Sequence, residues 1–186
     1  MTAGVILGID PGTTGMGYAV LDPSSDPARV IDCALIPVAQ RASAAERLAA
    51  IADAIEALIR THRPTTLALE RLYFNKNVQT AMVVAEARGV ALLCGARAGL
   101  AVAEYTPSEV KVSVTGSGAA EKAQVQRMVA LLVRADRPIT QDNVADAIAI
   151  ALTHAQRVQF TDAVARARWP ARAARRPHRA DGRGMS

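Results

Sequence analysis

The chain has 186 residues, 51% of them hydrophobic, and a formal net charge of +5, enough for a single domain with its own core. Its two cysteines, Cys33 and Cys94, lack metal-ligand spacing, so neither a disulfide scaffold nor a zinc site is expected. The most apolar segment, Ala81 to Gly99, is broken by Glu86, Arg88 and Arg97, and no basic run leads into an apolar stretch, so membrane spanning and secretion are not expected and a cytoplasmic location is.

In chain order, the apolar run Val5 to Ile9 predicts a strand, Met16 to Leu21 a second and Val30 to Val38 a third, joined as an antiparallel meander. Ser43 and Glu46 have capping-box spacing, and Leu48, Ile51, Ile55, Leu58 and Ile59 recur at helical spacing before Pro64 ends the helix. A fourth strand is predicted at Thr66 to Glu70, a helix at Val78 to Ala98, and a fifth strand at Ala101 to Thr106. Strand and helix alternate here, which points to parallel pairing. Two more helices follow, Ala120 to Val133 and Asp142 to Val158, with Asp142 placed as N-cap. The expectation is an α/β domain over residues 1–158, a mixed five-stranded sheet flanked by helices. The remainder, 159–186, holds Arg166, Arg168, Arg172, Arg175, Arg176, Arg179 and Arg183 among Ala, Pro and Gly. It is expected to be a disordered cationic tail suited to a polyanion such as nucleic acid.

Three acids stand out. Asp10 closes the first strand and opens a Pro-Gly-Thr-Thr-Gly turn, Glu70 closes the fourth strand, and Asp146 lies in the first turns of the last helix. An acid that closes an apolar run needs hydrogen bonds, water or a cation to offset its burial. The bland alternative for Asp10 is a turn-forming residue in an Asp-Pro-Gly loop. Three carboxylates without a suitably spaced His or Cys suit a hard cation, magnesium or manganese. Two such ions could clamp a scissile phosphate, which is phosphodiester hydrolysis.

Several segments together resemble the RuvC family of bacterial Holliday junction resolvases. They are Gly-Ile-Asp10-Pro-Gly-Thr-Thr-Gly, Ala-Leu-Glu70-Arg-Leu-Tyr-Phe-Asn-Lys-Asn77, Ala87-Arg-Gly-Val-Ala91, Gly116-Ser-Gly-Ala-Ala-Glu-Lys122 and Ala145-Asp-Ala-Ile-Ala-Ile-Ala-Leu-Thr-His154, spread over residues 3–158. The resemblance implies a ribonuclease H-like fold, a homodimer and divalent-metal dependence. It also implies paired symmetric nicks across four-way junction DNA, in concert with RuvA and RuvB.

Carried over by position, Asp10, Glu70 and Asp146 match the family's metal-binding acids. The fourth position, an Asp or in some members a His, is Asn143 here. An amide oxygen can bind metal but adds no charge, which lowers affinity and shifts preference toward manganese; a water oriented by Asn143 is the alternative. Tyr73 matches a family side chain that wedges into the junction, with Phe74 beside it and one of the pair expected to pack inward. Lys111 and Lys122 match basic residues near the scissile phosphate, and Lys76 is a weaker phosphate contact. His154 is read as a residue near the helix C-terminus rather than a catalytic base. The apolar helix Val78 to Ala98 is read as a candidate interface with a second subunit. Two other readings stay open: a junction-binding protein too weak in metal to cut, and an ATPase lobe of the actin and heat-shock type, suggested by Gly-Ile-Asp10-Pro-Gly-Thr-Thr.

Overall fold

The computed structural model describes residues 4–12, 15–37, 42–71 and 78–168. Chain order gives β1 (Ile6–Pro11), β2 (Met16–Asp22), β3 (Ala28–Leu35), α1 (Ala44–His62), β4 (Thr66–Glu70), α2 (Val78–Arg97), β5 (Ala101–Tyr105), α3 (Pro107–Thr115), α4 (Lys122–Leu132), β6 (Val133–Arg134) and α5 (Asp142–Arg168). The strands form one sheet in the order β5-β4-β1-β2-β3-β6. β1, β2 and β3 make the antiparallel meander, whereas β4 runs parallel to β1, β5 to β4 and β6 to β3.

Strand alternation divides the core between the two faces of this sheet. Leu7 and Ile9 of β1 join Leu67 and Leu69 of β4 against Ile51 and Ile55 of α1 and Ala87, Ala91 and Cys94 of α2. Ile6 and Ala68 face the other way, onto Ala147, Ile148 and Ala151 of α5, with Val110 of α3 and Val125 and Val129 of α4 beside them. The central strands are thus covered on both sides, which is why β1 reads as a continuous apolar run.

Local rules explain the boundaries. The Ser43 hydroxyl accepts from the Glu46 N–H at 3.3 Å while the Glu46 carboxylate accepts from the Ser43 N–H at 2.8 Å, so the expected capping box opens α1. Arg63, in left-handed conformation (φ 46°), closes it before Pro64. Thr106 and Glu109 form a second capping box at the start of α3.

Three expectations need correction. The sheet has six strands rather than five, because Val133–Arg134 leaves the end of α4 and pairs with Ala28 and Arg29; two residues carry no detectable alternation. Helix α5 runs to Arg168 rather than ending at Val158. Residues 159–168 contain no Gly or Pro, and Ala and Arg are strong helix formers, so the arginine content that suggested a solvated tail is compatible with helix. Asp142 is the first residue of α5 rather than its cap.

Candidate active site

Asp10 and Glu70 share a face because they continue the alternation of Ile6 and Ala68, both turned toward α5. They sit on adjacent strands, just beyond the last β1–β4 pair, Ile9 and Leu69. Asp146 reaches them because glycines let α5 lie directly on the sheet. A Cβ at Gly8 would stand 2.3 Å from the Ala147 carbonyl oxygen, and one at Gly17 2.1 Å from that of Asn143. Gly17→Ala is therefore expected to push the first turn of α5 off the sheet and cost about 3 kcal/mol, which lowers Tm by about 6–12 °C in a thermal melt.

The three acids line one cavity of about 260 Å³ together with Lys111 and Lys122; Pro107, Val110, Val125 and Ile150 supply its apolar walls. Asp10 is 9% exposed. Burial, reinforced by Asp146 and Glu70 and only partly offset by Lys122, pushes its pKa up to about 7. Glu70 is raised by burial and by Asp146. Asp146 is raised by burial despite its ion pair with Lys122. Lost hydration and like-charge repulsion act together on all three.

Lys122, the first residue of α4, answers part of that charge. Its Nζ lies 3.1 Å from Asp142 Oδ2 and 3.2 Å from Asp146 Oδ2. Burial works against its charged form, but these two bonds prevail and raise its pKa. The exposed Asp142 is pulled down by Lys122 and by Gln126, whose amide donates to it at 2.7 Å. Asp142 therefore spends its carboxylate on α4, not on capping its own helix.

Asn143 donates its Nδ2 to the Gly15 carbonyl at 2.8 Å, tying α5 to the glycine turn after Asp10. Its amide oxygen is the only atom it could offer a cation. Tyr73, Phe74 and Lys76 lie outside the described residues. His154 sits mid-way along α5, not near its end, and its Nδ1 is 2.8 Å from the Tyr105 hydroxyl. It has a structural partner one strand away from Glu70, a contact that the sequence did not suggest.

The donors fit a hard divalent cation: three carboxylates, every one held above its ordinary pKa, with an ammonium already drawn between two acids. Among the described residues no three Asp, Glu, His or Cys side chains stand close enough to ligate one ion directly; the three acids meet as the lining of one cavity. Also among the described residues, no helix is long and apolar enough to cross a membrane.

A meander of three antiparallel strands extended by parallel β4 and β5, with acids at neighbouring strand ends and a third acid from a covering helix, places the chain in the ribonuclease H-like fold class. The family model for crossover junction endodeoxyribonuclease RuvC matches residues 6–154, and the chain belongs to that family. The RuvC of Heliobacterium modesticaldum is 47% identical over 148 residues, spanning 80% of this chain and 91% of the relative. A solved Thermus thermophilus RuvC in complex with a Holliday junction substrate superimposes with a TM-score of 0.78 at 31% identity, covering 85% of this chain and 96% of that one. The yeast mitochondrial Holliday junction resolvase Ydc2 shares the fold, with a TM-score of 0.62 at 11% identity over 89% of this chain and 86% of its own. The protein is an endodeoxyribonuclease that resolves crossover junctions in recombination and repair, in a metal-dependent family. The ATPase-lobe and non-cutting readings fall with that result.

Proposed function

We propose that Asp10, Glu70 and Asp146, with Asn143 contributing an amide oxygen, hold two magnesium or manganese ions and carry phosphodiester hydrolysis at a four-way DNA junction. The observation that carries this reading is the convergence of three acids from distant segments on one cavity that also holds Lys111 and Lys122. When bound, the ions would activate water and offset charge on the leaving oxygen. Lys122 and Lys111 bring positive charge to the phosphate as negative charge builds. The apolar walls Val110, Val125 and Ile150 keep bulk water from diluting those interactions. The products are a 5′-phosphate and a ligatable 3′-hydroxyl.

The chain works as a homodimer, so that two sites make paired symmetric nicks on a junction of near two-fold symmetry. Exposed Met82 and Leu93, with Gly89 between them facing open space, form an apolar stripe along α2 that supports such an interface. Tyr73 or Phe74 stacks on an unpaired base at the crossover, and Lys76 contacts phosphate. The nuclease unit occupies residues 1–158, and the arginine-rich remainder, helical as far as Arg168, contacts the DNA backbone. The protein acts in the cytoplasm together with RuvA and RuvB.

The test is cleavage of a synthetic mobile four-way junction beside linear duplex, titrated separately with magnesium and manganese. Paired nicks near the crossover and none in the duplex are expected; binding without cutting at any metal level contradicts the reading. In the same assay Asn143→Asp restores a fourth charge and is expected to lower the magnesium requirement by about tenfold. An unchanged requirement would show that Asn143 is not part of the metal set.

A further inference from the structure

Glu70 is held from the far side of the sheet by a residue with no place in the chemistry. The β1–β4 ladder ends at Ile9 and Leu69. In a continued parallel ladder the carbonyl of Glu70 would accept from the N–H of residue 11, but residue 11 is proline and has none. On the other side the ladder persists, with the Arg71 N–H donating to the Tyr105 carbonyl at 2.7 Å. The strands part on the side where Asp10 and Glu70 make room for the cavity, and one backbone carbonyl is left over.

Arg88 of α2 takes it. Its Nε donates to the Glu70 carbonyl at 3.2 Å, and the other end of the guanidinium pairs with Glu104 of β5. The side chain is 18% exposed. Glu104 alternates with Ala103, which faces α5, so it lies on the α2 face; Arg88 therefore holds backbone from behind while the Glu70 carboxylate works in front. The planar guanidinium presents its Nε–H and the N–H groups at its far end in a fixed geometry to a carbonyl and a carboxylate at once, an arrangement that a lysine ammonium holds less rigidly. Removing it would leave a partly buried carbonyl and Glu104 unanswered, at the strand end whose side chain serves the site.

We infer that Arg88 is a positioning residue, which fixes the strand end of β4 so that the Glu70 carboxylate faces Asp10 and Asp146. The inference rests on the assignment of Glu70 to the active site. Its signature is a loss of turnover and of metal affinity without a loss of junction binding.

The experiment compares full-length wild type, Arg88→Met, Arg88→Lys and Glu70→Gln. The readouts are kcat and KM on a four-way junction, manganese affinity by calorimetry without DNA, and sedimentation. Arg88→Met is expected to lower kcat and manganese affinity by about 10–100-fold, with KM within about twofold and sedimentation unchanged; Arg88→Lys falls between it and wild type. Wild-type kcat and manganese affinity in Arg88→Met, with Glu70→Gln inactive, overturn the role of Arg88 alone. An active Glu70→Gln instead overturns the assignment of Glu70. A loss of kcat accompanied by raised KM and altered sedimentation assigns Arg88 to general structure and also overturns the inference. If Arg88→Met does not fold, Glu104→Gln, which frees the guanidinium's anchor, should show the same signature at smaller amplitude; unchanged manganese affinity there contradicts it.

Discussion

Asp10→Asn is expected to lower junction cleavage by about three orders of magnitude while making the metal-free protein more heat-stable at pH 8. The first effect follows from losing a charged oxygen in the cavity that the three acids line. The second follows from proton linkage. The folded-state pKa of Asp10 is about 7, above the ordinary 3.8. Between roughly pH 4 and pH 7 the folded chain therefore keeps a proton that the unfolded chain has released, and its stability falls as pH rises through that window, levelling above about 7. At pH 8 the wild type carries a buried charge opposed by Glu70 and Asp146, and Asn removes it. Melts in EDTA across pH 4–8 should show the variant's advantage appear as pH rises and vanish near pH 4. Junction affinity in EDTA should be preserved; an equal loss of binding would mean that these acids form a structural cluster.

Lys122→Met separates the two tasks of this lysine. It sits between Asp142 and Asp146, competing with a cation for one carboxylate of the cavity, and it lowers the pKa values of Asp10, Glu70 and Asp146. Without it, kcat on the junction is expected to fall by about 100-fold, the cost of losing one preorganised group aimed at developing charge. Manganese binding without DNA should tighten, because a competing positive charge has gone. A variant with full kcat would show that Lys122 serves only to balance the acids.

The sequence exposed the parts of this site that follow from local pattern. Asp10 and Glu70 were legible because each ends an apolar run, and the Ser43–Glu46 capping box because its spacing is itself the structure. Asp146 was legible as a third acid at a helix start, but the hydrogen-bond and ion-pair partners around these acids were not. Nothing near Asp142 signals that Lys122 and Gln126 will claim its carboxylate in place of its own helix. His154 read as a helix-end residue because the arginines beyond Val158 suggested a solvated tail; helix propensity carries α5 on to Arg168 and leaves the imidazole mid-helix beside Tyr105. β6 is too short for alternation to declare it, and it exists only because β3 offers an edge. Arg88 lay inside a segment matched to the family, yet its task depends on Pro11 withholding an N–H from Glu70, a relation between three separate elements.

That Asp10, Glu70 and Asp146 form one metal site is tested most directly by calorimetric titration of the metal-free full-length protein with manganese at pH 8, without DNA. Asp10→Asn, Glu70→Gln and Asp146→Asn are titrated alongside. A saturable binding heat in the wild type that each single substitution weakens strongly is the predicted result. Wild-type affinity retained in all three variants would place the metal elsewhere and contradict it.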